Sequence, residues 1–237
     1  MTDHALLTAE AHAELRIREE RGAGLGDAVM CCVTFPDEFR RVAAEYPILF
    51  RLNAERTAFT ALAMFGFTDG ENLFLEGDRW DADYVPLAID IQPFLIGGAN
   101  AAGEKQVHID MESPRIGAGE GVRLFDEDAR PTPYLEDVAG KLGALDESFH
   151  RAPDFFAMVT RHELLEPLTL EITLDDGSIN RLVGFHTVDE AKLRALDATA
   201  LGELHAAGHL MPLFMAVASV GKLSALVARK NRRSRNG

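Results

Sequence analysis

The chain has 237 residues and a formal net charge of −14, with 47% hydrophobic and 26% charged residues. This length and composition are typical of a folded globular chain with a sizeable core, and they exclude a largely disordered protein. The acidic balance argues against general nucleic-acid binding, because a phosphate backbone attracts clustered Lys and Arg and is repelled by an acidic surface.

The two cysteines are adjacent, Cys31 and Cys32, and such a pair forms neither a disulfide framework nor a Cys-x-x-Cys metal site. Reduced thiols in a reducing compartment are the default. The N-terminus lacks the basic region and long apolar run of a secretory signal. The apolar stretch 210–228 contains Pro212 and Lys222 and is a poor membrane-spanning helix. We therefore expect a cytoplasmic protein without a transmembrane segment.

The N-terminal half of the sequence alternates short apolar runs with turn signals. Residues 1–27 are predicted to be a flexible leader that ends in a Gly-rich break. An amphipathic helix is predicted over 35–46, with Pro36 in its first turn and Pro47 after its end. Short strands are predicted at 29–34, 48–52 and 59–67.

The C-terminal half is mostly helical in pattern. Thr132 and Pro133 are typical of a helix start, and apolar residues then recur at spacings of three and four. A second helix is predicted from Asp154, with Pro153 at its start. A long amphipathic helix is predicted from Leu210 to the basic tail.

A β-hairpin interrupts these helices. Alternating apolar residues at 168–174 and 179–187 flank the turn Asp175–Gly177. Together the elements predict an α+β protein, packed as one compact unit, with a strand-rich N-terminal half that holds a short helix and a helical C-terminal half that carries the hairpin. The predicted division is a leader at 1–27, a single domain at 28–228 and a basic tail at 229–237.

Short motifs along most of the chain resemble the bacterial SapC family. In order, they include Phe35-Pro36-Asp37-Glu38-Phe39, Gly70-Glu71-Asn72-Leu73-Phe74, Tyr84-Val85-Pro86, Ser113-Pro114-Arg115, Leu124-Phe125-Asp126-Glu127-Asp128 and Val188-Asp189-Glu190. The resemblance implies an association with bacterial surface layers and with genes for TonB-dependent receptors and flavin-dependent halogenase-like proteins. It brings no catalytic residues, and the family is distinct from the peptide-transport permease of the same name.

The stretch 107–133 is the densest cluster of polar and turn-forming residues, and we expect a ligand site there. Arg115 lies beside three loop glycines. Glycines let a ligand approach the backbone, and a guanidinium binds carboxylate or phosphate through two parallel hydrogen bonds. For this arginine, an internal salt bridge to Glu120, Asp126 or Asp128 is favoured over an anion site.

The residues predicted to bind a ligand are polar or aromatic: Trp80, Tyr84, Asp110, Ser113, Arg115, Asp126 and His205. Trp80 and Tyr84 could form an aromatic rim, although core or lid packing is the favoured interpretation of the tryptophan. His205 is predicted on the apolar side of a helix, where it either packs and caps or faces a pocket.

Three further chemistries have partial signals in the sequence. His108 and Asp110 share one face of a strand and, with His186, would suit a two-His-one-carboxylate iron site; a hydrogen-bonded strand histidine is the alternative. The acidic run 126–128 lacks the closing Glu of a calcium loop and predicts a turn. Ser113 lies in no nucleophile elbow. We therefore predict no catalytic residue, no metal site and no cofactor.

The basic tail is predicted to contact a partner or an anionic membrane surface, with a solvated end as the alternative. It carries Arg229, Lys230, Arg232, Arg233 and Arg235. The favoured function is that of a non-catalytic binding or accessory protein in a surface, uptake or modifying-enzyme system. A halogenase-like or receptor-associated protein is the expected partner. The alternatives are a metal-dependent oxygenase that uses His108 and Asp110, and a membrane-surface protein.

Overall fold

The computed structural model describes residues 3–99, 103, 105–117 and 119–236. The first part of the chain forms β1 (His4–Leu6), α1 (Ala9–His12), β2 (Arg16–Ile17), a 3-10 turn (Ala23–Leu25), β3 (Cys31–Thr34), α2 (Phe39–Glu45), β4 (Ile48–Leu52), β5 (Phe59–Met64), β6 (Leu75–Glu76) and β7 (Arg79–Trp80). Then follow α3 (Leu87–Asp90), β8 (Phe94–Ala99), β9 (Lys105–Asp110), β10 (Ile116–Gly117) and β11 (Val122–Arg123). The rest forms α4 (Pro133–Arg161), β12 (Leu165–Thr173), β13 (Ile179–Val188), α5 (Glu190–Ala195), α6 (Ala198–Ala206), α7 (Leu210–Ser219) and α8 (Lys222–Asn236).

The α+β prediction is confirmed, with strands concentrated before residue 124 and helices after it, around one hairpin. Residue contacts group the chain into two compact units. Unit 1 comprises Met1–Ala28, Leu75–Trp80 and Leu87–Glu147, and unit 2 comprises Val29–Phe74, Asp81–Pro86 and Ser148–Gly237.

Unit 1 is built on small antiparallel sheets. One has the order β1-β9-β8, a second has the order β10-β2-β11, and β6 pairs with β7. The apolar faces of the two three-stranded sheets share a core with the first half of α4, formed by Ile17, Phe94, Ile109, Leu124, Leu135 and Val138, among others. Residues 4–17, within the predicted leader, supply β1 and β2 to these sheets. The boundaries predicted for the leader, the domain and the tail stay a prediction.

Unit 2 is built on one five-stranded antiparallel sheet with the order β12-β13-β4-β5-β3. The central strands are fully buried at Ile48, Leu49 and Phe50. Helices α2 and α7 lie against this sheet and against each other. The edge strands are β12 and β3, so their outer backbone groups have no neighbouring strand in the sheet.

Several turns and helix starts that local sequence signals predicted are present. The predicted hairpin is present, with β12 and β13 paired and Gly177 at a φ of 82° in the turn. Asp189 and Asp197 cap α5 and α6, and each carboxylate accepts a backbone N–H from the first turn. Thr132 likewise accepts the N–H of Leu135 at the start of α4. Such side-chain acceptors satisfy N–H groups that a helix end leaves unpaired.

The prediction of two helices on either side of Pro153 was wrong. Helix α4 is continuous from Pro133 to Arg161, with the proline inside it. A proline inside a helix typically costs about 3 kcal/mol. Here the buried stripe continues past the exposed proline, from Ala152 to Phe155 and Val159. We infer that this packing outweighs the lost backbone hydrogen bond.

The single long helix predicted from Leu210 is divided in two. Helix α7 ends at Ser219, and α8 begins at Lys222. The Ser219 hydroxyl is fully buried, donates to the carbonyl of Ala216 at 2.6 Å and accepts the N–H of Ile48 at 2.9 Å. This local bond and the poor helix propensity of the glycine at position 221 explain the break.

Candidate functional site

The predicted anion site at Arg115 is occupied by the protein's own groups. The guanidinium is 2% exposed and lies 2.6 Å from the carboxylate of Asp27, which is fully buried. It also donates to the carbonyls of Arg18 and Glu20, at 3.4 and 3.1 Å. The internal salt bridge is therefore present, but its partner is Asp27 and not one of the acidic loop residues that we had expected.

The loop glycines serve close packing within the loop. A Cβ on Gly117 would lie 2.2 Å from the carbonyl oxygen of Glu120, and a Cβ on Gly121 would lie 2.3 Å from that of Ile17. Gly121 also has a φ of 108°, which side chains rarely adopt. The pattern of glycines that suggested ligand approach is thus explained by contacts of the backbone with itself.

The other polar residues of this stretch close turns. Asp110 accepts the N–H of Glu112 at 3.1 Å, and the Ser113 hydroxyl accepts the N–H of Arg115 at 3.3 Å. Asp126 accepts the backbone N–H groups of residues 128 and 130 at 2.9 and 2.8 Å. These local bonds are typical of Asx and Ser turns. The turn predicted at 126–128 is therefore present.

The aromatic pair predicted as a rim is divided between the two units. Trp80 belongs to unit 1 and is 6% exposed. Tyr84 belongs to unit 2, where its hydroxyl donates to the buried carboxylate of Glu38 at 2.6 Å, and the guanidinium of Arg41 lies over its ring. His205 is exposed on α6, so the prediction that it packs on the apolar side was wrong. Its helix buries Leu204 instead.

The strand histidine considered as an iron ligand packs against a neighbouring strand. His108 in β9 is paired with Leu95 in β8, and a Cβ on Gly97 would lie 2.2 Å from its ring. Across the residues that the structure describes, no group of three His, Cys, Asp or Glu side chains is placed to hold a metal ion. The interpretation of His108, Asp110 and His186 as a ligand set thus gains no support from the geometry.

Part of the basic tail folds back onto unit 2. Arg229 lies 2.7 Å from the carboxylate of Asp81 and 4.3 Å from the centre of the Phe74 ring. Lys230 pairs with Glu71. Further along, Arg233 donates to the carbonyl of Asn72 at 2.7 Å. Arg232 and Arg233 are both exposed. The positive charges of α8 are therefore partly neutralised within the protein.

Unit 2 also contains an open apolar cavity of about 920 Å³, which we call the aromatic groove. It lies between the ends of β3 and β5 and the second half of α4. Its apolar lining includes Phe35, Phe59, Phe149, Ala152, Phe156 and Ala157, and its polar lining is Thr34, Thr57, Thr60, Thr160 and Arg161. Phe149 is 61% exposed and meets Phe35 edge to face, with ring centres 6.2 Å apart.

The groove borders an open strand edge. The N–H of Phe65 bonds to the carbonyl of Met30 at 2.7 Å, and the register pairs Val33 with Leu62. Because successive residues of a strand point their backbone groups to opposite sides, those of Val33 face away from β5. Val33 is 36% exposed and lines the groove.

The two edges of this sheet differ in chemistry. The edge strand β12 carries Glu166, Pro167 and Glu171, the charges and proline that commonly prevent an edge from pairing with other chains. The edge strand β3 reads Cys-Cys-Val-Thr and carries neither. Of the two edges, β3 is thus the one open to a further strand.

Sequence patterns missed the groove for a definable reason. A stripe at spacings of four, three and four, from Phe149 through Pro153 and Phe156 to Thr160, marks one face of α4. Because we predicted a helix break at Pro153, the stripe was divided between two predicted helices and was not recognised. A continuous α4 would have shown a second apolar face beside the buried face of Phe155 and Val159.

Compared with protein families, the chain matches the family described as SapC over residues 7–226. Neither the curated proteins nor the solved structures gave a match.

Proposed function

The chain belongs to the SapC family, and we propose that it is a non-catalytic binding protein whose aromatic groove takes an extended apolar segment of a protein partner. The observation that carries this proposal is the groove itself. Its volume of about 920 Å³ lies in the range of ligand sites. Its lining is dominated by phenylalanine and alanine, with a few threonine hydroxyls and one guanidinium.

The exposure of Phe149 supports a macromolecular occupant. An exposed phenylalanine in a concave apolar surface is costly in water, and burial of its ring would favour association. Aromatic side chains are also enriched at the centres of protein interfaces. The groove is open along one side, which suits a chain segment better than an enclosed small molecule.

The open edge of β3 supports an extended conformation for that segment. A strand laid beside Val33 would satisfy its outward N–H and C=O groups. Alternate side chains of the added strand would then point toward the groove. The preferred segment therefore has apolar residues at every second position and no charge at those positions.

The wider role follows the family resemblance. We propose that the protein acts as an accessory factor in a surface, uptake or modifying-enzyme system, with a halogenase-like or receptor-associated protein as its partner. Cys31 and Cys32 form no disulfide in the structure, which is compatible with the cytoplasmic location that we propose.

The experiment is a selection of random decapeptides displayed on phage with the intact protein as bait. We expect enrichment of peptides with alternating apolar residues. Ala157→Trp fills the groove from an exposed position on α4 and should weaken the selected peptides about tenfold or more. Ala206→Trp, at an exposed position on α6, is the matched control and should leave their affinity unchanged.

A second pair of variants tests strand addition. Val33→Pro removes the outward N–H and should again lower affinity about tenfold, whereas Val33→Ala keeps that N–H and should have a smaller effect. Selected peptides that bind Ala157→Trp as tightly as the wild type would refute the groove as the binding site. Loss in Ala157→Trp with full binding to Val33→Pro would keep the groove and overturn strand pairing.

A further inference from the structure

The last two helices combine an apolar surface with positive charge. After Glu203 the sequence contains no Asp or Glu, while it carries six Lys and Arg residues. The stretch Leu210–Arg235 is long and apolar enough to cross a membrane by length and composition alone, yet only 28% of its most apolar part is buried in the protein. This segment is thus much more apolar than its exposure to water would favour.

The exposed apolar residues of these two helices fall on one face. They recur at intervals of three, four and seven along α7 and α8, and we call them the C-terminal apolar face: Met211, Phe214, Ala218, Ala225 and Ala228. Met211 is 59% exposed and Phe214 is 49% exposed. The opposite face buries Leu213, Ala216 and Leu226 within unit 2.

We propose that the C-terminal apolar face lies in the surface of a membrane that contains anionic lipids, a contact independent of the aromatic groove. An in-plane position follows from the burial of the opposite helix face, because a spanning helix would have to withdraw Leu213 and Leu226 from unit 2. Amphipathic helices of this kind insert apolar side chains at the boundary between headgroups and acyl chains. Phe214 and Met211 are the inserting side chains.

The charges on this surface favour lipid over a second copy of the chain. Arg232 is exposed one turn after Ala228, and Lys222 is partly exposed one turn after Ala218. Both would face anionic headgroups, whose attraction acts over about a Debye length. Two copies that met through this face would bring basic α8 segments together, and the acidic residues beside α8, Asp81, Glu71 and Asp175, are already paired with Arg229, Lys230 and Arg235 of the same chain.

The basic tail contributes less free positive charge to the membrane contact than its composition suggests. Arg229 and Lys230 are already paired with Asp81 and Glu71. The contact therefore depends mainly on the apolar side chains, and the anionic lipid adds a salt-dependent increment. This dependence on apolar side chains distinguishes the proposal from electrostatic attraction of the basic C-terminus alone.

The test is co-sedimentation of the full-length protein with large vesicles. One set contains phosphatidylcholine with about 30% phosphatidylglycerol, an anionic fraction chosen to give a negative surface potential, and the other contains phosphatidylcholine alone. We expect binding to the anionic vesicles that weakens in high salt.

The double variant Met211→Ser/Phe214→Ser should weaken binding to the anionic vesicles about tenfold or more. The control Ile179→Ser/Val183→Ser changes two exposed apolar residues of the hairpin and should bind like the wild type.

Lys222→Gln/Arg232→Gln should lower the preference for anionic vesicles while the protein stays folded. The absence of vesicle binding would overturn the proposal, as would equal loss in the hairpin control. Equal binding to both vesicle types would overturn the role of the anionic headgroups. Concentration-dependent dimers that Met211→Ser/Phe214→Ser abolishes, without vesicle binding, would assign the face to a second copy.

Discussion

Arg115 and Asp27 form a buried ion pair, with 2.6 Å between Nη2 and Oδ1 and side chains that are 2% and 0% exposed. Asp27 also accepts the N–H of Gly22 at 2.8 Å, and the guanidinium of Arg21 lies 3.7 Å away. The pair thus ties the end of the N-terminal segment to the loop after β9 within unit 1.

Replacement of Asp27 by Asn should destabilise the protein strongly. Removal of one partner of a buried ion pair leaves an uncompensated charge, at a cost of about 3 to 5 kcal/mol. The free energy of unfolding in urea would show this change. Glu171→Gln, which breaks the exposed pair with Arg181, is the control and should cost at most about 1 kcal/mol. Similar losses in both variants would contradict a structural role for the buried pair.

Gly121→Ala and Gly140→Ala should have opposite effects on stability. At Gly121 the added Cβ would meet the carbonyl of Ile17, and the positive φ adds strain, so we expect a loss of about 2 kcal/mol or more. Gly140 lies on the exposed side of α4 with open space around it, so alanine there should add about 0.5 to 1 kcal/mol. Urea unfolding of both variants measures the difference, and a neutral Gly121→Ala would show that the loop relaxes freely.

Arg229→Ala should cost more stability than Arg232→Ala, although the residues are close in sequence. Arg229 is 19% exposed, pairs with Asp81 and lies over Phe74, so its loss should cost about 1 to 2 kcal/mol. Arg232 is exposed, and its loss should change stability by less than about 0.5 kcal/mol. Thermal unfolding distinguishes the two. Equal effects would mean that α8 is not held by the contact with Asp81.

The stability of the protein should fall below about pH 6.5 in part because of His186. Burial, and then the positive charge of Arg56, lower the pKa of this histidine below its ordinary value of 6.5. The unfolded chain therefore binds a proton at higher pH than the folded chain does. The resulting stability is complete above the unfolded pKa and is lost as the pH falls through the folded pKa.

His186→Gln should make that loss shallower. The free energy of unfolding, measured in urea from pH 8 to pH 5, would show it, and the values at pH 8 control for the lost ring contact with Phe59. An unchanged slope in the variant would assign the pH dependence to other groups.

What could be predicted from the sequence depended on distance along the chain. The hairpin turn at Gly177 and the cap at Asp189 each rest on residues within a few positions of one another, so composition and spacing were sufficient. The SapC resemblance was confirmed as well, because it rests on many short motifs in order.

Contacts between distant residues could not be predicted in this way. Asp27 and Arg115 are 88 positions apart, and several acidic residues nearer to the arginine were equally plausible partners by charge. The aromatic groove brings together residues near 35, 59 and 150, and their convergence depends on the strand order of the sheet. The break at Pro153 was an error of a different kind, since local propensity was outweighed by burial.

The interleaving of the two units in the sequence limits how the chain can be divided. Unit 1 draws on segments both before and after Val29–Phe74, which belongs to unit 2. The sheet of unit 2 in turn requires β13 to pair with β4, across more than half of the chain. No single cleavage point therefore separates the two units. Most of the polypeptide must be synthesised before either unit contains all of its segments.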